Sequence, residues 1–153
     1  MVRLYRSKLN NIMPSHGSIH ATNTTQQDIE TEFEILDIFD TNGPSQGPIT
    51  TDANNNKISI SNAGTYDVSF NISFKGTNER IYTISLFING VQNVQEITAK
   101  RYISQNLTYA STAARGLVTI PAGGTDLDLR VKCNKQGANV AEEVFCSLVV
   151  VVV

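Results

Sequence analysis

Cysteine is scarce. The 153 residues contain two, Cys133 and Cys146, without C-x-x-C spacing, too few for a disulfide scaffold. Each lies in an apolar alternation, which leaves buried free thiols and a single cross-strand bridge both open. Charge is low as well. Charged residues make up 17%, and 12 Lys plus Arg against 14 Asp plus Glu leave a net charge of −2, without the positive excess of a nucleic-acid-binding domain. Long apolar runs are missing. The longest, Leu148 to Val153, has six residues, far below the roughly 20 of a membrane helix. No apolar stretch of signal-peptide length follows Arg3, Arg6 and Lys8, so the sequence predicts no secretory leader and no membrane partner. With so little cysteine, it predicts synthesis in a cytoplasm.

Catalytic groups are equally sparse. The two histidines, His16 and His20, precede the expected core, whereas nucleophilic catalysis needs a base beside a Ser or Cys. There is no G-x-S-x-G elbow, so no enzyme is expected. His16 and His20 with Asp28 or Glu30 would make a metal set only if 16–20 were helical, which Pro14 and Gly17 oppose. Asp126 and Asp128 share a strand face and have the oxygens that Ca²⁺ favours, but Arg130 and Lys132 beside them make a solvated face the simpler reading. Gly123-Gly124 belongs to a turn with no helix after it, hence no phosphate loop. No cofactor or metal is expected.

Uncharged polar residues fill the gap, with fifteen Asn and fifteen Thr, and what they interrupt is β-structure. From Gly64 to Phe74, Tyr66, Val68, Phe70, Ile72 and Phe74 alternate with polar residues, the period of a half-buried strand. Ile58 and Ile60 share a face. A strand over 81–88 ends in Asn89-Gly90, a hairpin signal. Strands follow over 91–103, 107–120 (stopped by Pro121), 127–133 and 144–153, with an earlier one over 32–38, and in the acidic block from Asp28 to Asp40 Glu30, Glu32 and Glu34 alternate with Thr31, Phe33 and Ile35. That acidic alternation is either a strand with a charged outside or a strip that meets a basic partner surface. The pattern predicts an all-β, antiparallel two-sheet jelly-roll sandwich over 21–153, preceded by an extended basic arm over 1–20.

The last strand does not alternate. An apolar run on both faces needs a second cover, and a closed homo-oligomer supplies one most simply. The alternative is burial by the chain's own arm.

Four segments carry a resemblance. Ala63-Gly64-Thr-Tyr66-Asp-Val68-Ser-Phe70 resembles the G-x-Y-x-F-x-F strand of the tumour-necrosis-factor and complement globular-head jelly rolls, with Val68 for the middle aromatic. Ser85-Leu86-Phe-Ile88-Asn89-Gly90 is similar to that family's next strand. The stretch from Gly116 to Leu129 resembles its "G-x-v-x-L-x-x-G-D-x-v-x-l" segment with one residue more, and Glu143 to Leu148 its closing strand. The resemblance covers roughly 30–153 and implies a compact homotrimer, with Tyr66, Phe145, Leu148, Val150 and Val152 at the interface. Lacking a collagen stalk or a secretory leader, the chain looks more like the phage members. They include capsid decoration (cement) proteins and fibre tips. The expectation is a virion structural protein on the capsid surface that stabilises the shell. Its partners would be the major capsid protein and neighbouring decoration subunits, and Arg3, Tyr5, Arg6 and Lys8 would form the docking arm. The alternative is the receptor-binding tip of a tail or head fibre, recognising a host glycan or surface protein through residues 43–56 and 92–97.

Overall fold

The computed structural model describes residues 14–22, 26–93, 97–105 and 109–153, with the backbone alone over 140–143. The strands, in chain order, are β1 (His16–Ala21), β2 (Gln27–Ile29), β3 (Glu34–Ile35), β4 (Thr41–Ser45), β5 (Ile49–Asp52), β6 (Lys57–Ile60), β7 (Gly64–Gly76), β8 (Arg80–Ile88), β9 (Val91–Gln92), β10 (Thr98–Ile103), β11 (Tyr109–Ile120), β12 (Thr125–Cys133) and β13 (Ala138–Val152). One 3₁₀ turn, Ala53–Asn55, is N-capped by Asp52. Two sheets result. The first runs β11-β7-β13-β1-β4, with β2 beside β13. The second runs β10-β8-β12-β6-β5, with β3 on β12 and β9 on β8. Every pairing is antiparallel. The molecule is the all-β, two-sheet jelly roll that the alternation predicts.

The core lies between the sheets and is built from alternate positions. Tyr66, Val68, Phe70, Ile72 and Phe74 of β7 meet Tyr82, Ile84 and Leu86 of β8 and Leu127, Leu129 and Val131 of β12, all buried. Each such side chain contributes roughly 1.5–3 kcal/mol of transfer free energy. Tyr82 is buried with its hydroxyl satisfied, donating to the Asn139 carbonyl at 2.5 Å and accepting from the Thr77 N–H at 2.8 Å. Burial pushes its pKa up.

Three expectations need correction. The segment 16–20, assigned to the arm, lies in the first sheet: β1 pairs with β13 from His16↔Val151 to Ala21↔Cys146 and with β4 on its other side. Its sequence, HGSIHA, has one large apolar residue, Ile19, so no alternation announces it. Gly17 is required there, because a Cβ would overlap the Ile49 Cγ2 of β5. The strand expected over 32–38 shrinks to Glu34–Ile35, and its phase shifts: Leu36 and Ile38 are buried while Ile35 is exposed. The strand expected over 91–103 divides into β9 and β10.

Candidate functional site

The two faces of β13 part company. Cys146, Leu148 and Val150 point into the core, while Phe145, Ser147, Val149, Val151 and Val153 lie on the opposite parity. The β7 register places Phe145 beside Ser73, Ser147 beside Asn71, Val149 beside Ser69 and Val151 beside Asp67. On the far side of β7, β11 adds Ala113 beside Asn71, Arg115 beside Ser69 and Leu117 beside Asp67. Beyond β13, β1 adds His16, Ser18 and His20. The outer face of the first sheet is therefore a grid of small polar residues with an apolar stripe through it. Phe145 is 59% exposed, Leu117 55% and Val153 76%, with half-buried Val149 and Val151 between them.

This placement corrects the interface residues taken from the resemblance. Tyr66, Leu148 and Val150 are at most 1% exposed within a single chain, so they fill their own subunit's core and offer nothing to a neighbour. Val152 packs against that core. Of the five, Phe145 stands free on the outer face. Parity separates the two sets of valines: since Leu148 and Val150 share a face with Tyr66 and Phe70, the intervening Val149 and Val151 face outward. The docking-arm residues Arg3, Tyr5, Arg6 and Lys8 lie outside the described residues.

Beside Phe145 is an open cavity of 380 Å³ lined by Asn71, Ile72, Ser73, Ser111, Thr112 and Ala113. Its polar walls hold themselves in place. Asn71 donates to Ser147 Oγ at 2.9 Å, and Ser111 donates to Ser73 Oγ at 3.2 Å. One exposed ring thus stands next to a hollow of small side chains. Asp67 and Arg115 form a two-point ion pair on the same face; the guanidinium hydrogen bonds hold the carboxyl below its usual range and raise the arginine.

The other candidate groups fall apart. His16 Nδ1 donates to the Pro14 carbonyl at 3.0 Å, and His20 Nε2 is 2.9 Å from Ser18 Oγ. Asp126 is held by Lys57 at 2.9 Å and Ser59 at 2.6 Å, and Asp128 by Arg130 at 2.8 Å. Among the described residues no three His, Cys, Asp or Glu side chains gather as metal ligands. Cys133 and Cys146 are buried free thiols on different sheets, and burial pushes the Cys146 thiol up. In the acidic segment, Glu34 accepts from the Glu30 N–H, Asp37 from Asn56, and Asp40 from Thr22. Residues 43–56 form β4, β5 and the 3₁₀ turn rather than a free loop. Asn56 is buried there, accepting from the Phe39 N–H at 3.1 Å.

Comparison with solved structures settles the architecture. The globular domain of zebrafish complement 1qA superposes with a TM-score of 0.64 at 11% identity, over 92% of this chain and 97% of that one. The chain has the jelly-roll fold of the complement globular head and the tumour-necrosis-factor proteins. Eiger TNF from S. frugiperda matches with a TM-score of 0.60 at 13% identity, over 92% of both chains. The PRD1 vertex protein P5 matches with a TM-score of 0.61 at 11% identity, over 91% of this chain and 96% of that one. No family model and no curated protein sequence matches the chain.

Proposed function

We propose that this protein is a non-enzymatic virion structural protein that assembles as a homotrimer through the outer face of its first sheet and decorates the exterior of a capsid. The observation that carries this reading is the apolar stripe of Phe145, Leu117, Val149 and Val151 beside a hollow of small residues. Exposed apolar side chains gathered on one face of a sheet mark an interaction site. A ring placed beside a hollow suits a heterologous contact, in which the ring of one copy enters the hollow of the next and the rotation closes. Domains of this fold usually form homotrimers, and the likeness to a PRD1 vertex protein supports the virion setting.

The mechanism is bridging. Three joined copies contact the major capsid protein and neighbouring decoration subunits, so separating capsid subunits must also break contacts within the trimer. The arm, through Arg3, Tyr5, Arg6 and Lys8, supplies the docking element, and its ordering on binding carries an entropic cost. Deleting residues 1–13, which precede β1, is expected to leave a trimer in sedimentation equilibrium and to abolish binding to bare capsids; full occupancy by the truncated protein would overturn the docking role. The vertex likeness also favours a second reading, a receptor-binding tip. Immunogold microscopy of virions separates them: label spread over the shell supports decoration, and a few particles at vertices or tail support the tip.

A further inference from the structure

We propose that the outer face of the second sheet carries a binding groove for an acidic sugar residue, a polyhydroxylated ring bearing a carboxylate or sulfate. The inference is independent of how the first sheet assembles, since the groove is on the opposite face of the sandwich. Its centre is Thr83 of β8. The register sets Lys100 of β10 beside it on one flank and Lys132 of β12 on the other. Two adjoining cavities, of 340 and 370 Å³, share these three residues, each within the range of small-ligand pockets, about 300–1,000 Å³.

The groups in the groove are of two kinds, and both suit such a ligand. Lys100 has no acidic partner among the described residues. Lys132 has the Phe33 ring, 4.6 Å from Nζ, as its contact, and Asp128 on the same face is already taken by Arg130. Two lysines therefore flank Thr83 with no ion-pair partner among the described residues, and both are available to an anion through charge-assisted hydrogen bonds. Hydroxyl and amide groups surround them. Thr83 is 8% exposed, lines both cavities and makes no side-chain hydrogen bond among the described residues. That hydroxyl opens into the groove, where a ligand hydroxyl can pair with it. Thr98 and Gln92 line the same groove and meet at Ser85 Oγ, at 2.6 and 3.3 Å. Exposed Tyr102 and Ile81 pair at one end of the groove, where an aromatic face can accept the C–H face of a ring. An acidic peptide would use the lysines but leave the Thr83 hydroxyl and the Thr98–Gln92 wall unused.

Titration calorimetry on the full chain tests this with four probes: tri-galacturonate, a sulfated heparin tetrasaccharide, neutral maltotriose and poly-L-glutamate. The expected result is binding of one or both acidic sugars, with the preferred one identifying carboxylate or sulfate. Neutral sugar should bind at least tenfold more weakly, and the paired variant Lys100→Gln/Lys132→Gln should lose at least tenfold while keeping its circular dichroism spectrum. Thr83→Val should weaken the acidic sugar and leave any poly-glutamate binding unchanged. Equal binding of poly-glutamate and sugar, equal binding of maltotriose, unchanged affinity in the lysine variant, or no heat at millimolar sugar would each overturn the proposal.

Discussion

Asp126 illustrates how a single carboxylate fastens two strands and reports on pH. It accepts from Ser59 and Lys57 of β6, its backbone N–H donates to Asn89 Oδ1, and its carbonyl accepts from the Asn89 N–H. The Ser59 hydrogen bond, then Lys57, hold its pKa below the usual carboxylate value. A folded pKa below the unfolded one means that the contribution is fully present above the unfolded value, near 4, and disappears as pH falls through the folded one. Asp126→Asn should therefore destabilise at pH 7 by no more than about 1 kcal/mol, since the pair is largely solvated. The gap from wild type should narrow as pH falls below the unfolded value in urea titrations; a gap that stays constant with pH would contradict this. Tyr82 is a stronger test of packing. Tyr82→Phe removes the hydroxyl that joins Thr77 to Asn139 and should cost about 1–3 kcal/mol, seen as a lower denaturation midpoint with an unchanged slope.

At the scale of elements, legibility followed periodicity. β7 could be read from its sequence because five apolar residues keep strict alternation, and β8 and β12 of the other sheet because turn residues bound them. β1 was illegible for the opposite reason: glycine, serine and histidines give it one apolar anchor, and it owes its place to the partners on both sides. The segment 32–38 shows how alternation can mislead when charged residues set the phase, since the buried set begins at Leu36 and Glu34 instead caps the Glu30 N–H. β1 also depends on closeness to β5. Gly17→Ala would bring a methyl against Ile49, with Thr51 Cγ2 at 3.2 Å, and is expected to lose about 1–3 kcal/mol by overpacking, measurable as a drop in Tm. An unchanged Tm would mean that β1 sits further from β5 than described. The candidate interface was legible only to the element: β13 was identified, but the face was assigned to its core side, because a run of valines does not declare which members point inward until β7 sets the register.

For the molecule as a whole, assembly and folding can be separated, because the apolar stripe is not part of the core. Phe145→Asp should leave the circular dichroism spectrum intact while weakening self-association by 2 kcal/mol or so per contact, as for a buried aromatic anchor. Light scattering behind size exclusion should move from an oligomer toward the 16.7 kDa chain. Leu148→Asp, by contrast, should fail to fold at all. If Phe145→Asp runs at the same mass as wild type, the outer face of the first sheet is not where copies meet.

The pairing of His16 with Val151 also sets an order of events during synthesis. Some 130 residues separate these partners, so β1 waits for a strand that the ribosome has not yet made, and the first sheet can be finished only after β13 emerges. Until then its edges are open to other chains. The nascent protein passes through a stage at which premature pairing between copies competes with the chain joining its own two ends.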